Sequence, residues 1–217
     1  MRWKAGPGIG LLVLLAWMAP ATAADLSVAV VDRDGKPVAD AVVTVRPLGR
    51  TANVAHAPAR RIIDQRDLAF VPYLEVFRPG DSVVFRNSDR TRHHVYSFSP
   101  VKAFEFVLAP HQSTAPQPLE EPGVVAIGCN IHDQMIAWLY VTDAPWFART
   151  GATGRVAFES LRAGEYEVRA WQPRLRPGRE EPAQRVTLGE AGVQALQFPL
   201  TLLPDPRRKP GREQAHY

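Results

Sequence analysis

One cysteine, Cys129, stands in the 217 residues, and a lone thiol excludes a disulfide within the chain. Methionine is almost as scarce: of three, Met1 and Met18 fall in the first 24 residues and only Met135 lies beyond them. After the opening stretch no apolar run is long enough to span a bilayer as a helix. Neither charge sign dominates. The formal net charge is +4, and without Arg2 and Lys4 it falls to +2, from 24 basic against 22 acidic side chains. So small an excess offers nothing for a nucleic-acid groove. Helical periodicity is sparse, and neither a nucleophile–base arrangement nor a phosphate loop is visible.

What is there begins with Arg2 and Lys4, an apolar run from Gly10 to Ala19, Pro20, and the small residues Ala21-Thr22-Ala23-Ala24. A basic start, a short apolar core and an A-x-A site are the pattern of a secretory leader. We expect 1–24 to be a signal peptide cleaved after Ala23 or Ala24, and the mature protein to be periplasmic. An unpaired thiol in an oxidising compartment is a liability unless something occupies it.

Most of the remainder alternates short β-rich runs with Gly and Pro turns, the signature of sandwiches or barrels, so the expected class is all-β. Leu26–Val31 and Ala41–Arg46 read as strands around a turn at Asp32–Pro37, with Gly35 at a positive φ. The stretch 47–61 loses pattern and reads as a linker, with His56 solvated. Strands are then expected near 61–65, 68–77, 82–87, 93–98, 104–108, 124–127 and 136–141. Four more are expected, near 155–158, 161–171, 185–188 and 193–198.

Both sulfurs of the mature chain sit in one loop, Gly128-Cys129-Asn130-Ile131-His132-Asp133-Gln134-Met135, at C-x-x-H-x-x-M spacing. Thiolate, imidazole and thioether are ligands that copper accepts in both oxidation states, and a trigonal blue-copper site takes one Cys, two His and a weak axial Met. The loop offers three of the four. A second histidine must come from elsewhere, and His93-His94 is the nearest pair along the strands. Neighbours in a strand point to opposite faces, so only one of them can face Cys129. His111 reads as exposed, and Asn87 and Asn130 are candidates for hydrogen bonds behind the ligands.

Residues from about Arg61 to Asp143 resemble a cupredoxin, the Greek-key sandwich of plastocyanin, amicyanin and pseudoazurin. The matching pieces are Pro79-Gly80-Asp81 before Val83-x-Phe85-x-Asn87, the His93-His94-Val95 step, and Cys129-x-x-His132-x-x-Met135. The wider string is similar to plastocyanin-like proteins of the "methylamine utilization protein" type. The resemblance implies one type 1 copper ion held by His93, Cys129, His132 and Met135, with His94 as the alternative to His93. It implies electron transfer with a redox protein such as a c-type cytochrome or a dehydrogenase, rather than an enzyme. Copper enzymes of this fold need further histidine clusters, and His56, His94, His111 and His216 are scattered. Copper delivery or storage, or a metal-free binding module, are the alternatives. The chain departs from amicyanin-like loops at Ile131 and Asp133, where those carry proline.

Two further pieces, Val30-x-Asp32-x-Asp34-Gly35-x-Pro37-Val38 and Thr150-Gly151-x-x-Gly154-Arg155 with Leu161-x-x-Gly164-x-Tyr166, are similar to the halves of a carboxypeptidase-regulatory-like (transthyretin- or Ig-like) sandwich. The expected division is therefore 25–50 with 145–202 as one discontinuous sandwich. The cupredoxin-like unit and its linker, 51–144, are inserted in it, and a mobile basic tail covers 203–217.

Overall fold

The computed structural model describes residues 23–52, 55–132 and 134–207. The expected leader up to Thr22, Asp133 and the end of the tail from Arg208 lie outside the described residues. Every regular element among the described residues is a strand. In chain order these are β1 (Ala23–Val31), β2 (Val42–Pro47), β3 (Arg60–Arg66), β4 (Ala69–Val71), β5 (Leu74–Phe77), β6 (Ser82–Asn87), β7 (His93–Ser99), β8 (Lys102–Leu108), β9 (Gln117–Pro118), β10 (Gly123–Cys129), β11 (Ile136–Val141), β12 (Trp146–Arg149), β13 (Arg155–Arg162), β14 (Gly164–Trp171), β15 (Ala183–Leu188) and β16 (Val193–Pro199).

They form four sheets, which pack as two sandwiches. In the first sandwich, the sheet β13-β1-β16 faces the sheet β12-β2-β14-β15. Its strands come from both ends of the chain: Val28 is opposite Val156 on one side and Leu196 on the other. Inward side chains from both sheets, among them Leu26, Val28, Val30, Val43, Val45, Tyr166, Val168 and Phe198, make one core. Alternation puts every second residue of a strand on that core, which is why Tyr166, Val168 and Ala170 of β14 are buried together. Tyr166 donates its hydroxyl to the Arg162 carbonyl at 2.7 Å, closing the corner in the manner of Ig-type sandwiches.

The second sandwich holds the sheets β5-β11-β10-β7-β8 and β4-β3-β6-β9. Its core joins Ile63, Val83 and Phe85 from one sheet to Val95, Ile127, Leu139 and Val141 from the other. Cys129 and Met135 belong to this core.

The two sandwiches share an apolar seam of Val42, Tyr73, Leu74, Val76 and Tyr140, with Trp138, Phe147 and Trp171 against it. β2 is therefore buried on both faces, which explains its unbroken Val42-Val43-Thr44-Val45 run. The seam carries polar ties as well. Arg78 donates to the Ala144 and Pro145 carbonyls at 3.1 and 2.9 Å and lies 4.8 Å over the Phe147 ring. Arg149 donates to the Leu74 carbonyl.

β12 was not expected from the sequence. It pairs with β2 and turns Phe147 into the seam. The linker is tied down at its end: His56 Nε2 lies 2.7 Å from Asp81 Oδ1, and the Ala59 amide donates to the same oxygen at 2.7 Å. At the start of the expected tail, the Leu203 amide donates to the Arg174 carbonyl at 2.8 Å. Arg207 lies 3.7 Å over the Tyr73 ring. These described tail residues are thus packed on both sandwiches.

Candidate metal centre

Two adjacent strands and one loop build the site. Val95 of β7 stands opposite Cys129 of β10. His93, two residues before Val95, shares its face, so strand alternation aims both His93 and Cys129 into the core. His94 takes the opposite face, where its Nε2 lies 2.6 Å from Glu105 Oε1. The choice that alternation leaves open is thereby made geometrically: His93 is the inward member of the pair.

After Cys129 the chain leaves the sheet and returns as β11. The base of this loop is closed by backbone bonds, Cys129 N to Met135 O at 3.3 Å and Met135 N to His132 O at 2.9 Å. A third bond, Asn130 N to His94 O at 3.1 Å, ties the loop to the strand that carries His93. The loop brings His132 back over the cysteine. Cys129 Sγ lies 3.7 Å from His93 Nδ1 and 3.9 Å from His132 Nδ1. The ligand atoms of His93, Cys129 and His132 all fall within 4.8 Å of one another.

Three of the four candidate side chains are buried. His93 is 0% exposed, Cys129 4% and Met135 2%. His132 is half-buried and is the member that reaches the surface, beside the exposed Ile131. A thiol, two imidazoles and a buried thioether from the same core fit a soft or borderline metal, and copper among them. Two imidazole Nδ1 atoms already converging on one sulfur leave little for such an ion to rearrange.

Behind the candidate ligands sits a group that motif reading missed. Asp89 Oδ2 lies 2.8 Å from His93 Nε2. The Asp89 carboxylate also accepts from the amides of Asp67 and Leu68 at 2.7 and 3.1 Å. Burial pushes its carboxyl up, but the bonds from His93 and these amides outweigh that and hold it below the usual carboxylate range. The only sequence signal was an acid in the polar run leading to the His-His pair.

Asn87 is buried, and its amide donates to the carbonyls of Thr91, Leu108 and Ala109 at 2.8, 3.1 and 3.1 Å. Its Oδ1 accepts from the Asp89 amide at 2.9 Å. It therefore braces the loop that carries Asp89 rather than touching a ligand. Asn130 is exposed and engages the site through its backbone alone. His56 is held by Asp81, and His111 is exposed at a positive φ. Neither joins the cluster, and His216 lies outside the described residues.

No family model and no curated protein matches the sequence. Among solved structures, the chain is similar to a methionine-to-glutamine variant of amicyanin in its Cu(I) form, at 17% identity and a TM-score of 0.36, over 38% of this chain and 82% of that one. It is similar to a copper-containing nitrite reductase from Thermus scotoductus SA-01, at 19% identity and 0.36, spanning 45% of this chain but only 25% of the reductase. It is also similar to a purple cupredoxin from Nitrosopumilus maritimus, at 21% identity and 0.33, over 39% of this chain and 99% of that one.

Proposed function

We propose that the protein binds one copper ion in a type 1 site and carries electrons, with His93, Cys129 and His132 as the trigonal ligands and Met135 as the weak axial one. The observation that carries this reading is the convergence of two imidazole Nδ1 atoms and one thiol sulfur within 4.8 Å. When bound, copper would supply a one-electron couple between Cu(II) and Cu(I), tuned by the axial ligand and by the apolar shell around the sulfur.

The chain's own residues do the rest. β7 and β10 hold His93 and Cys129 rigidly, and the closed loop base holds His132 and Met135. Burial of three of the four excludes water. Partial exposure of His132 gives an electron its shortest way out, toward a redox protein docked on that loop. The reading is of a carrier and not an enzyme. The middle sandwich is a cupredoxin of the plastocyanin-like kind in this view. The flanking one is a carboxypeptidase-regulatory-like domain made of 25–50 and 145–202.

Export to the periplasm belongs to the same reading. Of the two expected cleavage points, the one after Ala23 leaves in place Ala24, which is only 3% exposed and pairs with Leu161. Among the described residues no helix is long and apolar enough to cross a membrane.

The test is the visible spectrum of Cu(II)-loaded protein through a cycle of reduction and reoxidation. An intense thiolate-to-copper band that bleaches and returns, and is lost in Cys129→Ser, supports the carrier. Colourless binding of Cu(I) alone would point to delivery, and absence of any copper binding to a metal-free module. Either overturns it.

A further inference from the structure

We infer that Asp89 is a positioning residue for His93, fixing which ring nitrogen carries the proton and placing a negative charge behind the ligand. The inference rests on the copper reading above and deepens it. The two nitrogens of His93 have different partners: Nε2 faces the Asp89 carboxylate at 2.8 Å and Nδ1 faces Cys129 Sγ at 3.7 Å. A carboxylate only accepts, so Nε2 must carry the hydrogen, and the Nδ1 lone pair is left facing the sulfur. The ring is 0% exposed, so no water competes for either nitrogen.

Asp89 is itself held in place. The amides of Asp67 and Leu68 bind its two oxygens, and Asn87 Oδ1 accepts its own amide. Asp67 and Leu68 have φ of 54° and 56°. They are the two central residues of the turn joining β3 to β4, a type that needs positive φ at both positions. Leucine is a poor residue for that conformation. The carboxylate that satisfies these amides thus joins the β3–β4 hairpin to the metal ligand. Second-sphere carboxylates on ligating histidines raise ligand basicity, and their loss typically lowers metal affinity about 10- to 100-fold. A negative charge behind the imidazole favours the more positive metal ion.

Two measurements test this. In metal-free wild type, nitrogen–proton NMR should show His93 locked with its hydrogen on Nε2 and slow to exchange. A hydrogen on Nδ1, or averaging between the two, overturns the inference and needs no variant to fold. In copper-loaded protein, Asp89→Asn should keep the thiolate band and weaken Cu(II) binding relative to Cu(I) by about tenfold, which corresponds to a reduction potential ~59 mV higher. Asp89→Glu, which keeps the charge, should lie nearer to wild type. A wild type with the band, and an Asp89→Asn potential equal to its own, overturns the inference alone. A wild type without the band overturns the copper reading instead, while the metal-free NMR still reads the Asp89–His93 pair.

Discussion

His93 and His94 are adjacent in sequence, yet each is hydrogen-bonded to a different carboxylate on opposite faces of one sheet, His93 to Asp89 at 2.8 Å and His94 to Glu105 at 2.6 Å. Only the first faces Cys129. His93→Ala should therefore abolish the thiolate-to-copper band, because no second imidazole can take its place without a register slip of β7. His94→Ala should leave the band, since it removes only a half-exposed contact. Spectra of the two loaded variants, side by side, check this.

Arg78 ties the two sandwiches together. Its guanidinium satisfies two carbonyls at the Ala144–Pro145 crossover and stacks on Phe147. Truncation to alanine strands both acceptors and should cost about 2–3 kcal/mol of unfolding free energy. Arg78→Lys should recover little, because an ammonium cannot reproduce the planar fork. Urea denaturation of the two variants is the measurement.

Two buried carboxylates of the middle sandwich, Asp81 and Asp64, link its stability to pH. Burial pushes the Asp81 carboxyl up, and the Arg78 and Ala59 amides with His56 outweigh it, leaving it below the usual range. Asp64 behaves alike: burial is outweighed by Arg86, Ser88 and Arg66. A carboxylate with a lower pKa folded than unfolded binds fewer protons when folded, so stability rises with pH across that window. Its contribution is complete above the unfolded value of about 4 and is lost as pH falls through the depressed folded value. The urea midpoint should therefore drop steeply below about pH 4, and Asp81→Asn should flatten the drop while lowering stability at neutral pH.

Two glycines should respond differently to a methyl group. Gly154 has φ +66°, and a Cβ there would lie 2.6 Å from the Val30 carbonyl oxygen and 2.9 Å from the Val38 nitrogen. Both obstacles are backbone of a central strand and its turn. Gly154→Ala should cost about 2–4 kcal/mol. At Gly128 the obstacle is the far end of the Tyr96 ring, 2.7 Å from the added Cβ. That ring is half-buried and can swing outward, so Gly128→Ala should cost only about 1 kcal/mol. Thermal unfolding of both variants decides it.

The candidate loop was legible because rare residue types stand out in sequence: one thiol and one thioether at C-x-x-H-x-x-M spacing, of which the structure gathers Cys129 and His132 with His93. Strand alternation then narrowed the His93-His94 pair to one inward member without saying which. The all-β pattern was legible from turns such as that at Gly35, whose φ is +76°. β12 was not, because Trp146 to Arg149 is only four residues long and apolar on both faces, with Trp146 and Ala148 against the first core and Phe147 in the seam. Asp89 was not, because a carboxylate in a polar loop looks solvated until the fold sets it against a buried ring. His56 is an exposed loop residue as read, and only its bond to Asp81, 25 residues away, had no local signal.

X-ray absorption at the copper edge of Cu(II)-loaded protein tests the central claim most directly. The account predicts one short copper–sulfur bond and two copper–nitrogen bonds to imidazole, with the sulfur contribution gone in Cys129→Ser. A first shell of nitrogen and oxygen alone in wild type would contradict it.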